Sequence, residues 1–202
     1  MITRTTVRQL RRAGAALCIG AVLWTGSWTA RPSAQEGESP FASETALAQQ
    51  AMNTLQQALV AKLMAAMKTG GPAAAVTVCR DEAAAIAEGV ARENNLAIGR
   101  TSHRLRNPAN AARPWARSIV EASAGAKASA ERLRVMDLGD RVGVLRPIGT
   151  IDMCTRCHGG AKAVQQSIGT ELAAAYPQDR ATGFSAGDLR GWMWAEVPKT
   201  AK

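Results

Sequence analysis

Aromatic side chains are scarce in this chain, at 4% of 202 residues, with one Tyr and two Phe. Nucleic-acid binding by stacked aromatics among basic residues has no support, because no such interleaving occurs. Histidine is scarcer still, at two residues, and cysteine counts four, at positions 18, 79, 154 and 157. No group of nucleophile, base and orienting acid is visible, so the chain is not expected to be an enzyme. There is no internal repeat. The apparent excess of positive charge, +9, is also thin once its location is considered. Residues 1–34 hold five arginines and no acid, which leaves 20 basic against 16 acidic residues, or +4. A balance that mild implies no polyanionic partner.

Those first residues read as a secretory leader. Arg4, Arg8, Arg11 and Arg12 form a positive start, Ala13 to Trp24 is apolar, and small residues surround Thr29-Ala30 and Ser33-Ala34. Leu17 precedes Cys18 where a lipoprotein signal needs a smaller residue, and nothing after Arg11-Arg12 supports twin-arginine export. The expected organisation is a signal peptide over 1–34, a polar linker over 35–43 and one domain over 44–198. The expected location is the periplasm, with membrane contact only through an uncleaved leader.

What is present is Cys154-Thr155-Arg156-Cys157-His158. This C-x-x-C-H is the attachment signature of c-type haem. Two thiols at that spacing reach the two vinyl groups of one porphyrin, and the following imidazole becomes the proximal iron ligand. A zinc site would need four Cys or His ligands, and only Cys79 and His103 remain outside the motif and leader. A redox C-x-x-C belongs after a strand, at the start of a helix, and no βαβ pattern surrounds this one. Export agrees with haem attachment, which takes place outside the bacterial cytoplasmic membrane. One covalent haem c is the expected cofactor.

Hydrophobic periodicity predicts a helix over 42–68, with Leu47, Met52, Leu55, Leu59, Leu63 and Met67 as its stripe and Ser43 as its cap. Gly70-Gly71 ends it. Pro72 opens a second helix to about Glu93, stopped by Asn94-Asn95. Its stripe is Val76, Cys79, Ala83, Ile86 and Val90, so Cys79 faces inward. Leu96 to Arg106 is β-tolerant, and a third helix is expected from Pro114 to about Ala130. Val135 to Ile148 reads as a β-hairpin turning at Leu138-Gly139-Asp140. A helix over 163–175, a loop over 176–188 and a last strand over 189–197 follow. On that strand Leu189, Gly191, Met193 and Ala195 share one face, and Arg190, Trp192, Trp194 and Glu196 the other. The sixth iron position is open on the residues alone: Cys79 on its apolar face, Met193, His103 or no side chain at all.

The motifs in order resemble a family of PAS-like c-type haem domains that includes a small photosystem-II-associated cytochrome. They are Gly70-Gly71, Cys79, Gly99-Arg100-Thr101-Ser102, Arg106-Asn107-Pro108-Ala109-Asn110, Arg146-Pro147-Ile148, the C-x-x-C-H, Tyr176 to Phe184, and Gly187 to Gly191. The resemblance spans about 44–198. It implies an α+β fold, with a PAS-like antiparallel sheet and N-terminal helices packed around one covalently bound haem. It also implies His158 and Cys79 as the two iron ligands. His103 departs from the family, which more often has an aliphatic residue there. Arg100, Arg106, Arg190 and Tyr176 are candidates for the haem propionates, since guanidinium binds carboxylate bidentately. A cytochrome c′-type four-helix bundle is the rival fold, and the period-2 stretches around the motif argue against it. The expected function is one-electron transfer or redox sensing with a periplasmic redox or signalling partner. The alternative is a gas-binding module with a labile sixth ligand for carbon monoxide or nitric oxide.

Overall fold

The computed structural model describes residues 39–199. The predicted signal peptide over 1–34 and the first part of the linker lie outside the described residues. Helix α1 runs Ala42–Asp81 and is broken inside at Gly71, with φ 66° and ψ −160°. Only glycine occupies that region without strain. Pro72 follows, where a restarting helix has no use for its missing N–H. The two predicted helices therefore meet where expected, although the first runs to the break. A second interruption at Glu82 separates α2, Ala83–Glu93, which ends at Asn94 and a left-handed Asn95. Ser43 does not cap α1. The helix starts two residues earlier than that role requires, with Phe41 at the cap, and the Ser43 hydroxyl donates to Glu44 instead, at 2.8 Å.

Ala48, Ala51, Met52 and Leu55 are fully buried along one stripe of the first arm of α1. Two alanines among them let the helix lie close to the sheet. That sheet has four antiparallel strands in the order β1-β4-β3-β2. They are β1 (Ala97–Thr101), β2 (Arg134–Asp137), β3 (Arg141–Gly149) and β4 (Leu189–Pro198). β2 and β3 form the predicted hairpin. Its turn places Gly139 at φ 93° and lets the Asp137 carboxylate accept the Gly139 N–H at 2.8 Å. The result is an α+β fold whose open sheet is consistent with a PAS-like arrangement, and not a four-helix bundle.

Both sheet faces are covered. Ile98, Val142, Val144, Met193, Ala195 and Val197 pack on the first arm of α1 and on α2. Leu145, Leu189 and Trp192 pack on Ala116 and Val120 across the sheet. Leu189 thus clusters with Trp192 and not, as simple alternation predicts, with Met193. A register shift between Ile148 and Gly149 breaks the alternation. It occurs beside Gly191, at φ 159°, where a Cβ would collide with the Thr101 carbonyl.

The third helix is shorter than predicted. A 3-10 turn over Pro114–Ala116 leads into α3, Arg117–Ala122. The chain then bends at Gly125, φ 78°, before a 3-10 turn at Ala128–Ala130. Ser123, buried at the end of α3, accepts the Trp192 indole N–H on its hydroxyl at 3.0 Å. After β3 come α4, Asp152–His158, and α5, Ala161–Ala175. Among the described residues no helix is long and apolar enough to cross a membrane.

Candidate functional site

α4 carries the whole C-x-x-C-H motif on two turns of helix, with Cys154 and Cys157 three apart and so on one face. Gly159 closes the helix with its N–H on the Thr155 carbonyl at 2.8 Å. A Cβ there would collide with the same oxygen. Both thiols are free and half-buried. Cys157 packs against an apolar cluster of Val76, Val164, Ile168, Leu172 and Tyr176. Burial pushes its thiol up, Arg106 opposes that, and the charges of Cys79 and Cys154 add to it. Cys79 sits one helical turn after Val76 on the second arm of α1, half-buried. Its charge also bears on Arg100 and Tyr176. The fold has brought residues 79, 154 and 157 into one neighbourhood.

His158 is set by its hydrogen bond. Nδ1 lies 2.7 Å from the Ala181 carbonyl oxygen, which has no proton to give, so Nδ1 is the protonated nitrogen. Nε2 is left as a bare lone pair, the tautomer a metal-binding imidazole needs. Burial, then the charges of Arg190 and Arg106, lower the His158 pKa to about 2. The ring is therefore neutral at any ordinary pH. The loop after α5 grips this end of α4 through its backbone, Gly183 N–H to Gly159 O at 2.7 Å and Phe184 N–H to His158 O at 2.9 Å. The Phe184 ring stands edge-on to His158 at 6.5 Å.

Around this imidazole the charge is one-sided. Arg106 donates to the Cys157 carbonyl at 2.5 Å and to Asp179 at 3.2 Å, and both side chains are 11% exposed. Arg190 stacks over Phe184 at 5.0 Å, as Arg104 does at 5.4 Å. The Arg190 Nε–H is buried without a partner. Burial, then repulsion from Arg106 and Arg100, lowers its pKa to about 10. Arg100 is lowered by burial, with Cys79 and Tyr176 opposing. Tyr176, 7% exposed, is raised to about 12 by burial and then by Cys79, against Arg106 and Arg100. Asp179 is the carboxylate paired into this group of cations.

The donor set fits a covalently held haem: two thiols on one helix face, a neutral imidazole with Nε2 bare, apolar walls, and a cationic edge with an orphaned N–H. Among the described residues no three His, Cys, Asp or Glu side chains gather as a protein-only metal site. Of the rival ligands, Met193 is buried in the main core with Met52, Leu55 and Val144, away from the Cys157 cluster. His103 is half-buried with its ring on Phe184 at 5.8 Å. Burial, then Arg104 and Arg190, lower its pKa.

Sequence reasoning named Arg100, Arg106, Arg190 and Tyr176 here but gave no role to Asp179, Ala181, Phe184 or Arg104. Asp179, Ala181 and Phe184 lie within the quoted Tyr176–Phe184 motif, where a backbone carbonyl leaves no signature of its own. An open cavity of about 390 Å³ is lined by Leu105, Pro108, Pro177, Gln178, Asp179 and Arg180. It shares Asp179 with the site and is lined by neither thiol of α4 nor His158.

A family model described as Tll0287-like matches residues 34–198. Among solved structures, the chain is similar to the crystal structure of the cyanobacterial heme-protein Tll0287. The identity is 21% and the TM-score 0.57, over 79% of this chain and 97% of that chain. At that identity the likeness speaks for the fold. No curated protein matches.

Proposed function

The chain belongs to the Tll0287-like family, and on that premise we propose that it is a periplasmic monohaem c-type redox protein. Cys154 and Cys157 would hold the haem by thioether bonds, and His158, through Nε2, and Cys79 would be the side chains that hold its iron. A haem so held supplies a one-electron iron couple. The residues supply its setting. The Ala181 carbonyl fixes the imidazole tautomer, Tyr176 and the α5 side chains exclude water, and Arg100 and Arg190 balance the propionates. Arg106 is occupied by Asp179 and the Cys157 carbonyl, so its part is to hold the loop to α4.

The observation that carries this reading is the His158 Nδ1–Ala181 bond of 2.7 Å, beside two free half-buried thiols on the same helix. The test is to express the chain with cytochrome c maturation factors, extract with acid-acetone and record the alkaline pyridine spectrum. Haem that stays with the protein supports the proposal. Haem stripped by the solvent overturns it.

Redox sensing is a second reading with an observation of its own. Cys79 lies on a helical segment bounded by the Gly71 break and the Glu82 interruption. The Gly71 break leaves that segment free of the first arm of α1, while Glu82 keeps helical hydrogen bonds to Val78 and Ile86, so loss of one ligand bond could displace the segment together with α2.

A further inference from the structure

We propose that Arg106 and Asp179 are positioning residues for His158, acting through the two ends of Ala181. Four hydrogen bonds form a closed circuit. The Cys157 carbonyl accepts from Arg106 Nη2 at 2.5 Å. The same guanidinium donates from Nε to Asp179 Oδ2 at 3.2 Å. Asp179 Oδ1 accepts the Ala181 N–H at 2.8 Å. The Ala181 carbonyl accepts from His158 Nδ1 at 2.7 Å. The circuit starts on Cys157 and returns on His158, its neighbour in sequence.

The Ala181 N–H and C=O belong to successive peptide groups, so no amide resonance links them. The coupling is positional. A carboxylate accepting the N–H of Ala181 fixes that residue, and Ala181, itself fully buried, then presents its oxygen at one place. Arg106 sets where the carboxylate stands relative to α4, because it bonds both partners at once. At 11% exposure for each side chain the ion pair is little screened, and removing one member strands the other's charge.

The chemical consequence falls on the imidazole. A firm Nδ1–H···O=C bond gives the ring partial imidazolate character and makes Nε2 a stronger donor. A stronger donor favours ferric over ferrous iron. The circuit therefore holds the reduction potential down. This consequence for the potential rests on the haem reading above; the circuit itself does not.

The sequence makes the test clean, since it contains two histidines. Full-length, matured protein labelled with ¹⁵N-histidine gives one signal set for His158 and one for His103 as an internal control. In the reduced wild type, His158 should show protonated Nδ1 with slow solvent exchange. Asp179→Ala should speed that exchange and raise the potential, because the Ala181 carbonyl is then held less firmly. Asp179→Asn keeps an acceptor for the Ala181 N–H and should fall between. His103 should not move. Unchanged exchange and potential in Asp179→Ala would overturn the proposal and leave an ordinary buried ion pair. If that variant does not accumulate, Asp179→Asn decides by the same two readouts. A pyridine spectrum of each sample separates this outcome from failure of the haem reading, because the Nδ1 proton is observable with or without iron.

Discussion

Arg146 donates from Nη2 to the sulfur of Met193 at 3.1 Å, which commits Met193 to the core between α1 and the sheet. A thioether held there is a poor candidate for the sixth iron position, which leaves Cys79 as the sulfur donor of the proposed reading. Thiolate stabilises ferric iron, so the wild-type potential should lie low in the ~0.8 V range that axial ligands span. Cys79→Ala should raise it and abolish the narrow low-spin resonance of thiolate ligation. Met193→Leu should change neither, at a stability cost under about 1.5 kcal/mol. A spectrum that survives Cys79→Ala would move the assignment to His103.

Gly71 carries a backbone that other residues resist, at φ 66° and ψ −160°, with no atom within 4 Å of where a Cβ would stand. Steric clash is therefore absent, and the cost of substitution is conformational alone. Gly71→Ala should destabilise the fold by about 1–3 kcal/mol, read as a lower midpoint in denaturant. If stability is unchanged, the break is not held by the glycine.

The break at Gly71, the Asn95 stop and the Gly139 hairpin were all legible in the sequence because each depends on local backbone chemistry. The inward face of Cys79 followed from spacing alone. The C-x-x-C-H motif carried its chemistry in residue types, all within five residues. What stayed hidden depends on distant contacts. Trp192 reaching Ser123, at the early end of α3, joins residues far apart in sequence. The exchange of faces at Leu189 rests on a register shift. The circuit through Ala181 rests on a backbone oxygen that no side-chain pattern records. Arg106 was expected at the propionates, and its partners in the structure are a carbonyl and Asp179.

Glu196 is 7% exposed and accepts from Arg113 Nε at 2.7 Å and from the Trp115 indole at 2.7 Å. Burial pushes its carboxyl up, but Arg113 and Trp115 together outweigh burial, so the net shift is downward. A carboxylate lowered in the folded state contributes stability above its unfolded pKa of ~4.3. That contribution is lost as the pH falls through the lower folded value. Glu196→Gln should cost on the order of 1–3 kcal/mol at pH 7. The gap between variant and wild type should narrow on acidification below the unfolded carboxylate range. Chemical unfolding at a series of pH values checks it, and a constant gap would remove Glu196 from the acid response.

Carrier and sensor differ in what happens to Cys79 on reduction, and its flanks favour the carrier. Ala75 is 1% exposed and Val76 4%, one turn before the thiol, and Ala83, at the start of α2, is 6% exposed, so buried residues anchor the chain on either side of Cys79. If Cys79 held the iron, loss of that bond would leave all three of these residues packed, and the thiol would stay near its place. A carrier gains from that arrangement, because ligand exchange would add reorganisation to every electron transfer. The dithionite-reduced protein should therefore bind carbon monoxide slowly, over many minutes, with a reversible one-electron wave in voltammetry. Cys79→Ala, with no sulfur to compete, should bind it at once, and the Soret band reports both. Rapid and complete binding by the wild type would reverse the conclusion. The break at Gly71 would then act as a hinge, and sensing would replace electron transfer as the better account of the fold.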